Sequence, residues 1–211
     1  MADLTIYFPS TGAAPHDCAY DGTWQNTDAA AHFVGTTTKG TSAIAGNYPY
    51  HNVSLQYGLG CQWVSAAMAA RSWTTSDTFD ISIMCREDNA ITDQLYLIVR
   101  IFNAAGDTEV GVLYEGAVNT TAWTSTITSR HADGVSVQNA VDCPENGHIV
   151  VEVGMYTTTT AATDARFYVG EGSAGASPLA LSDSDTNADH YPFIAFTYGA
   201  AGTAHLKIIN E

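Results

Sequence analysis

Apolar and polar residues alternate with a period of two along much of this chain, and the run 94–102 shows it best. In an extended backbone Leu95, Leu97, Val99 and Ile101 share one face, while Tyr96, Ile98, Arg100 and Phe102 share the other. Both faces are largely apolar, which predicts a central strand covered on both sides. Nine extended residues cross ~30 Å, the width of a small β-sandwich. Asn103, Ala104, Ala105, Gly106 and Asp107 then supply turn chemistry, and alternation resumes over 109–115, so the two runs read as a hairpin.

The same reading, taken along the chain, places further strands around that hairpin. Leu4, Ile6 and Phe8 alternate up to Pro9, which cannot continue a ladder. Residues 10–22 read as loop, and Trp24 follows a Tyr20-Asp21-Gly22 turn with its ring expected to be buried. The Thr- and Gly-rich stretch 35–46 predicts no element. Residues 47–57, rich in Tyr and Asn, read as an ordered loop or as a strand with an exposed aromatic edge. Residues 79–86 and 147–156 are clean strands, 135–141 alternates weakly, 157–163 is a polar loop, and 166–170, 191–198 and 204–209 complete the set. The alanines of 62–71 give that stretch local helix propensity, although Trp63, Val64 and Met68 form only a partial helical stripe. At least eight strands with Gly/Thr/Asn turns predict an all-β fold with little helix: an antiparallel two-sheet β-sandwich. We expect one domain over 1–198, followed by a strand-like extension over 199–211 that pairs either within its own subunit or with a neighbour. No fixed period of self-similarity suggests a propeller or solenoid.

Composition narrows the function classes. Charged residues are 14% of 211, against about 25% in an average soluble protein, and the net charge is −15 from 22 acidic and 7 basic side chains. Such a surface repels phosphate backbones and anionic lipid heads, so neither nucleic acid nor a membrane is an expected partner. No apolar run reaches the ~18 residues of a membrane span, and the first residues have neither the basic nor the apolar region of a signal peptide, so synthesis in a cytosol is expected. Cys85 ends the alternation Phe79, Ile81, Ile83 and reads as a core thiol. Among Cys18, Cys61 and Cys143 a disulfide is open, but the spacing does not specify one.

Candidate chemistry is sparse. Gly170, Gly172 and Gly175 match G-x-G-x-x-G after a strand, but Ser177-Pro178 follows where a helix must begin, so a glycine-rich strand exit is the better reading. In Gly35 to Thr41 the lysine precedes the second glycine, the wrong order for a phosphate loop. Asp183, Asp185, Asn187 and Asp189 place oxygens at alternate positions, as a loop around a structural Ca²⁺ does, but Ala188 replaces the expected glycine and Ile194 the expected bidentate Glu. The seven histidines are scattered, and no nucleophile elbow occurs. The expectation is therefore no enzyme and no cofactor, with a His–Asp–Ser grouping assembled only in three dimensions left open. Tyr48, Tyr50 and Tyr57 fall in loop-like sequence and, with Leu206 and Ile208 of the end segment, are candidate interface residues.

Several blocks together resemble a family of small virion structural proteins of tailed phages. They are Ile6-Tyr7-Phe8, Trp24 after an acidic turn, Thr37-Thr38-Lys39-Gly40-Thr41 and Gln62-Trp63-Val64-Ser65, then the long strand 95–101 with its hairpin, Ile149-Val150-Val151-Glu152-Val153-Gly154, and the closing Tyr191-Pro192-Phe193-Ile194-Ala195-Phe196. The resemblance implies a jelly-roll-like sandwich, an extended conformation for 62–71 despite its alanines, and a structural role without an active site. It further implies capsid decoration or a head- or tail-associated position, homotrimeric assembly, and other virion proteins such as the major capsid protein as partners. A fibre, spike or glycan-binding module recognising a host surface is the alternative.

Overall fold

Strands that alternate between two layers build this molecule, seen in a computed structural model that describes residues 3–25, 31–40, 46–52, 56–87, 93–157, 163–170, 172, 175–187 and 190–199, with backbone only for 46–52 and 163–164. In chain order the elements are β1 (Leu4–Tyr7), β2 (Ala31–Gly35), β3 (Gly46–Asn52), β4 (Tyr57–Ser65), β5 (Arg71–Trp73), β6 (Thr78–Glu87), β7 (Asp93–Phe102), β8 (Glu109–Asn119), β9 (Thr128–Ser136), β10 (Val141–Cys143), β11 (His148–Thr157), β12 (Thr163–Val169) and β13 (Phe193–Thr197). No helix occurs among the described residues.

One sheet runs β2-β4-β11-β7-β8. The other runs β1-β13-β6-β12-β3 and adds β9 on β6. In that second sheet β13 pairs with residues 78–82 of β6 and β12 with 84–87, while β9 pairs along both parts, so β9 must occupy the opposite edge. Among the described strands all pairings are antiparallel except β2 with β4, which run parallel. The chain crosses between layers at most of its connections, the habit of a jelly roll. A short β5–β10 pair closes one end.

The period-two pattern sets what lies between the layers. Phe79, Ile81, Ile83 and Cys85 of β6 face Leu95, Leu97, Val99 and Ile101 of β7 within one continuous core that also holds Trp63, Val151, Phe167 and Phe196. Each such side chain, fully buried, stabilises the fold by roughly 1.5–3 kcal/mol.

The predicted hairpin is β7–β8, and both faces of β7 are buried as its pattern requires. The middle of its sheet, however, is β11, which pairs along its whole length with β7 and along most of it with β4. The alanine-rich stretch is extended through Ser65, because Gln62, Trp63 and Val64 are held in register against Glu152, Val151 and Val150. That is tertiary pairing overriding local propensity. Two expectations need correcting. Alternation over 135–141 is not one strand: β9 ends at Ser136, Gln138 turns away to cap a neighbouring edge, and β10 starts at Val141. Residues 31–35, which the pattern left unassigned, form β2. Residues 47–52 are strand, at the edge of the sheet beyond β12. All four cysteines are free and buried. Residues 200–211, with Leu206 and Ile208, lie outside the described residues.

Candidate functional site

Two loop segments lie over the outer faces of the sandwich, and the polar chemistry of the chain is concentrated beneath them. The first, 9–25, covers the β4-β11-β7 face. Cys18 and Ala14 pack on Val64, Phe102 and Val150. Trp24 packs on Leu59, Tyr96 and Ile98, edge-on to the Tyr96 ring at 5.7 Å.

Glu152 stands at the centre of this face with no exposure to solvent. Its Oε2 accepts from Trp24 Nε1 at 2.6 Å and its Oε1 from Gln62 Nε2 at 2.7 Å. The Arg100 guanidinium donates to the same Oε1, and the Asp21 backbone N–H reaches both oxygens at 3.3 Å. Arg100 also donates to Ala19 O at 2.6 Å and to Glu109 Oε2 at 3.0 Å. Burial raises the Glu152 carboxyl, against the opposing pull of Arg100, Trp24 and Gln62. The Tyr20-Asp21-Gly22 turn is local, with Thr23 N–H donating to Asp21 Oδ1 at 2.8 Å. This cluster is a clasp: β4, β11, β7 and β8 supply Gln62, Glu152, Arg100 and Glu109, and the covering segment supplies Trp24, the Asp21 N–H and the Ala19 carbonyl.

The second segment, 175–187 with His190, covers the β6–β9 face. Ser82 Oγ donates to Ala180 O at 3.1 Å, and Ser129 N–H donates to Asp185 O at 2.8 Å. Asp183 Oδ1 accepts from His131 N–H and Asn119 Nδ2 at 3.2 and 2.9 Å and meets His131 Nδ1 at 2.9 Å. Asp185 Oδ2 accepts from Ala180 N–H at 3.1 Å and meets His190 Nδ1 at 2.6 Å, while its Oδ1 accepts from Asn187 N–H at 2.9 Å. The two carboxylates thus turn to different donors instead of converging. Asp189 lies outside the described residues, and among those described no three His, Cys, Asp or Glu come together as a metal site.

Burial raises Asp183 and Asp185, but hydrogen bonds from Thr121 and His131 in one case, and from His190, Asn187 and Ala180 in the other, leave both below the ordinary carboxyl value of about 3.9. The contribution they make to stability is therefore complete above that value and is lost as pH falls through their folded pKa. The amide protection factors over 177–187, with the intrinsic pH dependence of exchange divided out, are expected to fall on acidification before those of β7 and β11 do.

The strand edges are also attended to. On the outer edge of β8, Gln138 mimics a peptide: its N–H donates to Leu113 O at 2.8 Å, its Nε2 to Glu115 O at 3.0 Å, and its Oε1 accepts from Glu115 N–H at 3.0 Å. Ser129 and His131 N–H groups of the β9 edge bond to Asp185 and Asp183. Such caps discourage pairing with another chain. β3 ends its sheet with Pro49 in the strand, and Tyr48 and Tyr50 stand on it in register with Phe167 and Ala165. Tyr57, the other aromatic singled out from sequence, is half-buried against Tyr96 and Tyr156, with ring centroids 5.1 and 5.0 Å away.

A groove of about 280 Å³ opens on the outer face of the sheet where β1 and β13 meet the second covering segment. Tyr7, Tyr191, Phe193 and Leu181 line it with Asp80, and Leu181 is among the most exposed large apolar side chains. Tyr7 meets Tyr191 edge-on at 5.4 Å, and the Lys39 ammonium stands 5.1 Å over the Tyr191 ring.

No family model matches the chain, and no curated protein matches it significantly. Solved structures that match it include infectious bursal disease virus, Gx strain, at 11% identity and a TM-score of 0.30, over 78% of this chain and 37% of that one. The Gt strain of the same virus matches at 14% and 0.23, over 76% and 38%. A CocE/NonD family hydrolase from Staphylococcus aureus matches at 9% and 0.26, over 94% and 35%. The chain spans little more than a third of the length of these structures, and likeness at this level assigns no activity.

Sequence reading did not single out Glu152 and Arg100. The available signal was a charge set in the apolar runs Ile149-Val150-Val151 and Leu97-Ile98-Val99, since a charge buried in a strand requires a partner. It likewise passed over Glu87 and Asp93, which flank a chain crossing between the sheets.

Proposed function

We propose that this chain is a non-enzymatic structural component of a virus particle, specifically a capsid decoration (cement) protein of a tailed phage. The observation that carries this reading is the clasped state of both sandwich faces. Glu152, Arg100, Asp183, Asp185, His131 and His190 are all engaged in holding the covering segments down, and with the β8 and β9 edges capped this leaves the rims and the β3 edge as the surfaces for biological contact. The resemblance of the sequence blocks to tailed-phage virion proteins supports the same reading.

In this role the chain acts stoichiometrically. Edge strand β3, bearing Tyr48 and Tyr50, and the segment holding Leu206 and Ile208 bury against neighbouring copies and against the major capsid protein, adding many moderate interfaces to a shell under pressure. The charge of −15 keeps unassembled copies apart and off DNA. The protein is made in the host cytoplasm and resides in the virion as a homotrimer. Sedimentation of the purified chain is expected to give three times its mass of 22.4 kDa, and electron microscopy of the source particle is expected to place it at symmetry-related sites on the shell. Absence from the particle, or hydrolase activity abolished by changing a single His or Asp, refutes the proposal.

The aromatic groove favours a second reading, a host-glycan module. Tyr7, Tyr191 and Phe193 offer ring surfaces and Asp80 an acceptor, the combination that stacks on and hydrogen-bonds to a sugar. Glycan-array binding that Tyr191→Ala abolishes, in a chain absent from capsid symmetry sites, selects this reading over the first.

A further inference from the structure

Asp93 opens β7 and is fully buried, with no exposure. Neither of its carboxylate oxygens has a hydrogen-bond partner; the Thr157 hydroxyl lies beside it and interacts favourably without completing a well-formed bond. Among the described residues no Lys, Arg or His forms an ion pair with it. The charge that acts on it is of like sign: Glu87, itself buried, directs Oε2 to within 3.4 Å of the Asp93 backbone nitrogen. Burying a carboxylate without a donor or a countercharge costs several kcal/mol, and a second carboxylate beside it adds to that cost.

The position of the pair makes the omission informative. Glu87 is the last residue of β6, in one sheet, and Asp93 the first of β7, in the other. Thr157, the last residue of β11, is the register partner of Asp93. Three strand ends from two layers therefore bring two carboxylates and a hydroxyl together. The backbone around them is already committed, with Trp123 N–H donating to Asp93 O at 3.2 Å and Glu87 N–H to Thr124 O at 3.0 Å. The donor set is all oxygen, with neither imidazole nor thiolate, which suits a hard cation. Ca²⁺ tolerates irregular coordination by six to eight oxygens and accepts carboxylates in either mode, whereas Mg²⁺ demands near-octahedral geometry and gives up its water reluctantly.

We propose that Asp93 and Glu87, with Thr157, form a Ca²⁺ site that ties the two sheets together at this end of the sandwich. The ion supplies the positive charge that the buried carboxylate lacks. This site is distinct from the 183–189 loop, whose described carboxylates are taken up by N–H donors, and it does not depend on where the chain acts in a particle.

The test uses the whole chain stripped with EGTA. Scanning calorimetry is expected to show Tm rising by about 5–10 °C at a Ca²⁺ concentration about 100 times the Kd, with a much smaller rise in equal Mg²⁺. Asp93→Asn is expected to abolish the rise, Glu87→Gln to reduce it, and Asp183→Asn to leave it intact. Terbium offers a readout that needs no variant: Trp123 adjoins Asp93, so Trp-sensitised Tb³⁺ emission that saturates at one Tb³⁺ per chain and is displaced by excess Ca²⁺ supports the site even where Asp93→Asn fails to fold. A Tm indifferent to Ca²⁺, absence of sensitised emission, or a Ca²⁺ response that survives in folded Asp93→Asn overturns the proposal, and in the first two cases a proton alone satisfies the pair.

Discussion

Truncating Glu152 to alanine is expected to destabilise the protein by about 3–5 kcal/mol, the usual penalty for leaving one member of a buried ion pair behind. Arg100 is almost wholly buried, and without Glu152 it keeps Ala19 O and Glu109, the latter at the solvent boundary. Trp24 Nε1 and Gln62 Nε2 lose their acceptor in the same step, each adding an unsatisfied buried donor. Glu152→Gln should lie between, since an amide oxygen still accepts but carries no charge. Arg100→Met combined with Glu152→Leu should recover only the part of the loss that comes from the unpaired guanidinium, because Trp24 Nε1 and Gln62 Nε2 still lack an acceptor. Urea unfolding with unchanged m-values provides the measurement. A loss below about 1 kcal/mol for Glu152→Ala would show that water reaches the site and that the clasp contributes little.

The same cluster marks the limit of what the sequence discloses. A strand with two apolar faces must be covered on both, and the pattern over 94–102 requires this. The pattern does not name the cover. The segment 9–25 has no periodicity of its own; it is held by single contacts from Cys18, Trp24, Ala19 and Asp21 to residues far along the chain. Alternation located β6, β7 and β11, because each buries at least one face along its length, and β8 by its position after the turn that follows β7. β2 and β9 escaped because their burial is partial and their composition mixed: β9 reads Thr-Ser-Arg-His-Ala-Asp-Gly-Val-Ser, with Ser129 and Arg130 buried by hydrogen bonding. The loop 183–189 was legible as oxygen-rich but not in its purpose. Spacing alone cannot say whether a carboxylate meets a cation or an N–H group, and both carboxylates described there meet N–H groups.

Gly154→Ala is expected to be the most damaging single methyl addition on the clasped face. A β-carbon at this position overlaps Gly58 O and falls 2.6 Å from Trp24 Cη2, so the indole lies directly against the bare backbone of β11. The register of β11 against β4 also shifts between Val153 and Gly154, so the strand is already irregular there. Overpacking of this kind costs about 1–3 kcal/mol when neighbours yield, and more where the obstacle is backbone. Trp24 can yield only by withdrawing Nε1 from Glu152, which couples the steric change to the buried ion pair two residues away. Two readouts should therefore move together: a lowered urea midpoint, and a red-shifted Trp emission with faster proteolysis within 9–25. Trp24→Ala alone should cost about 3–5 kcal/mol. In the double variant the losses should sum to less than the two singles, since the ring that obstructs the methyl is gone while the Gly58 carbonyl remains. Strict additivity would mean that the indole does not rest on Gly154, and that the covering segment is held by Cys18 and the Arg100–Ala19 bond instead.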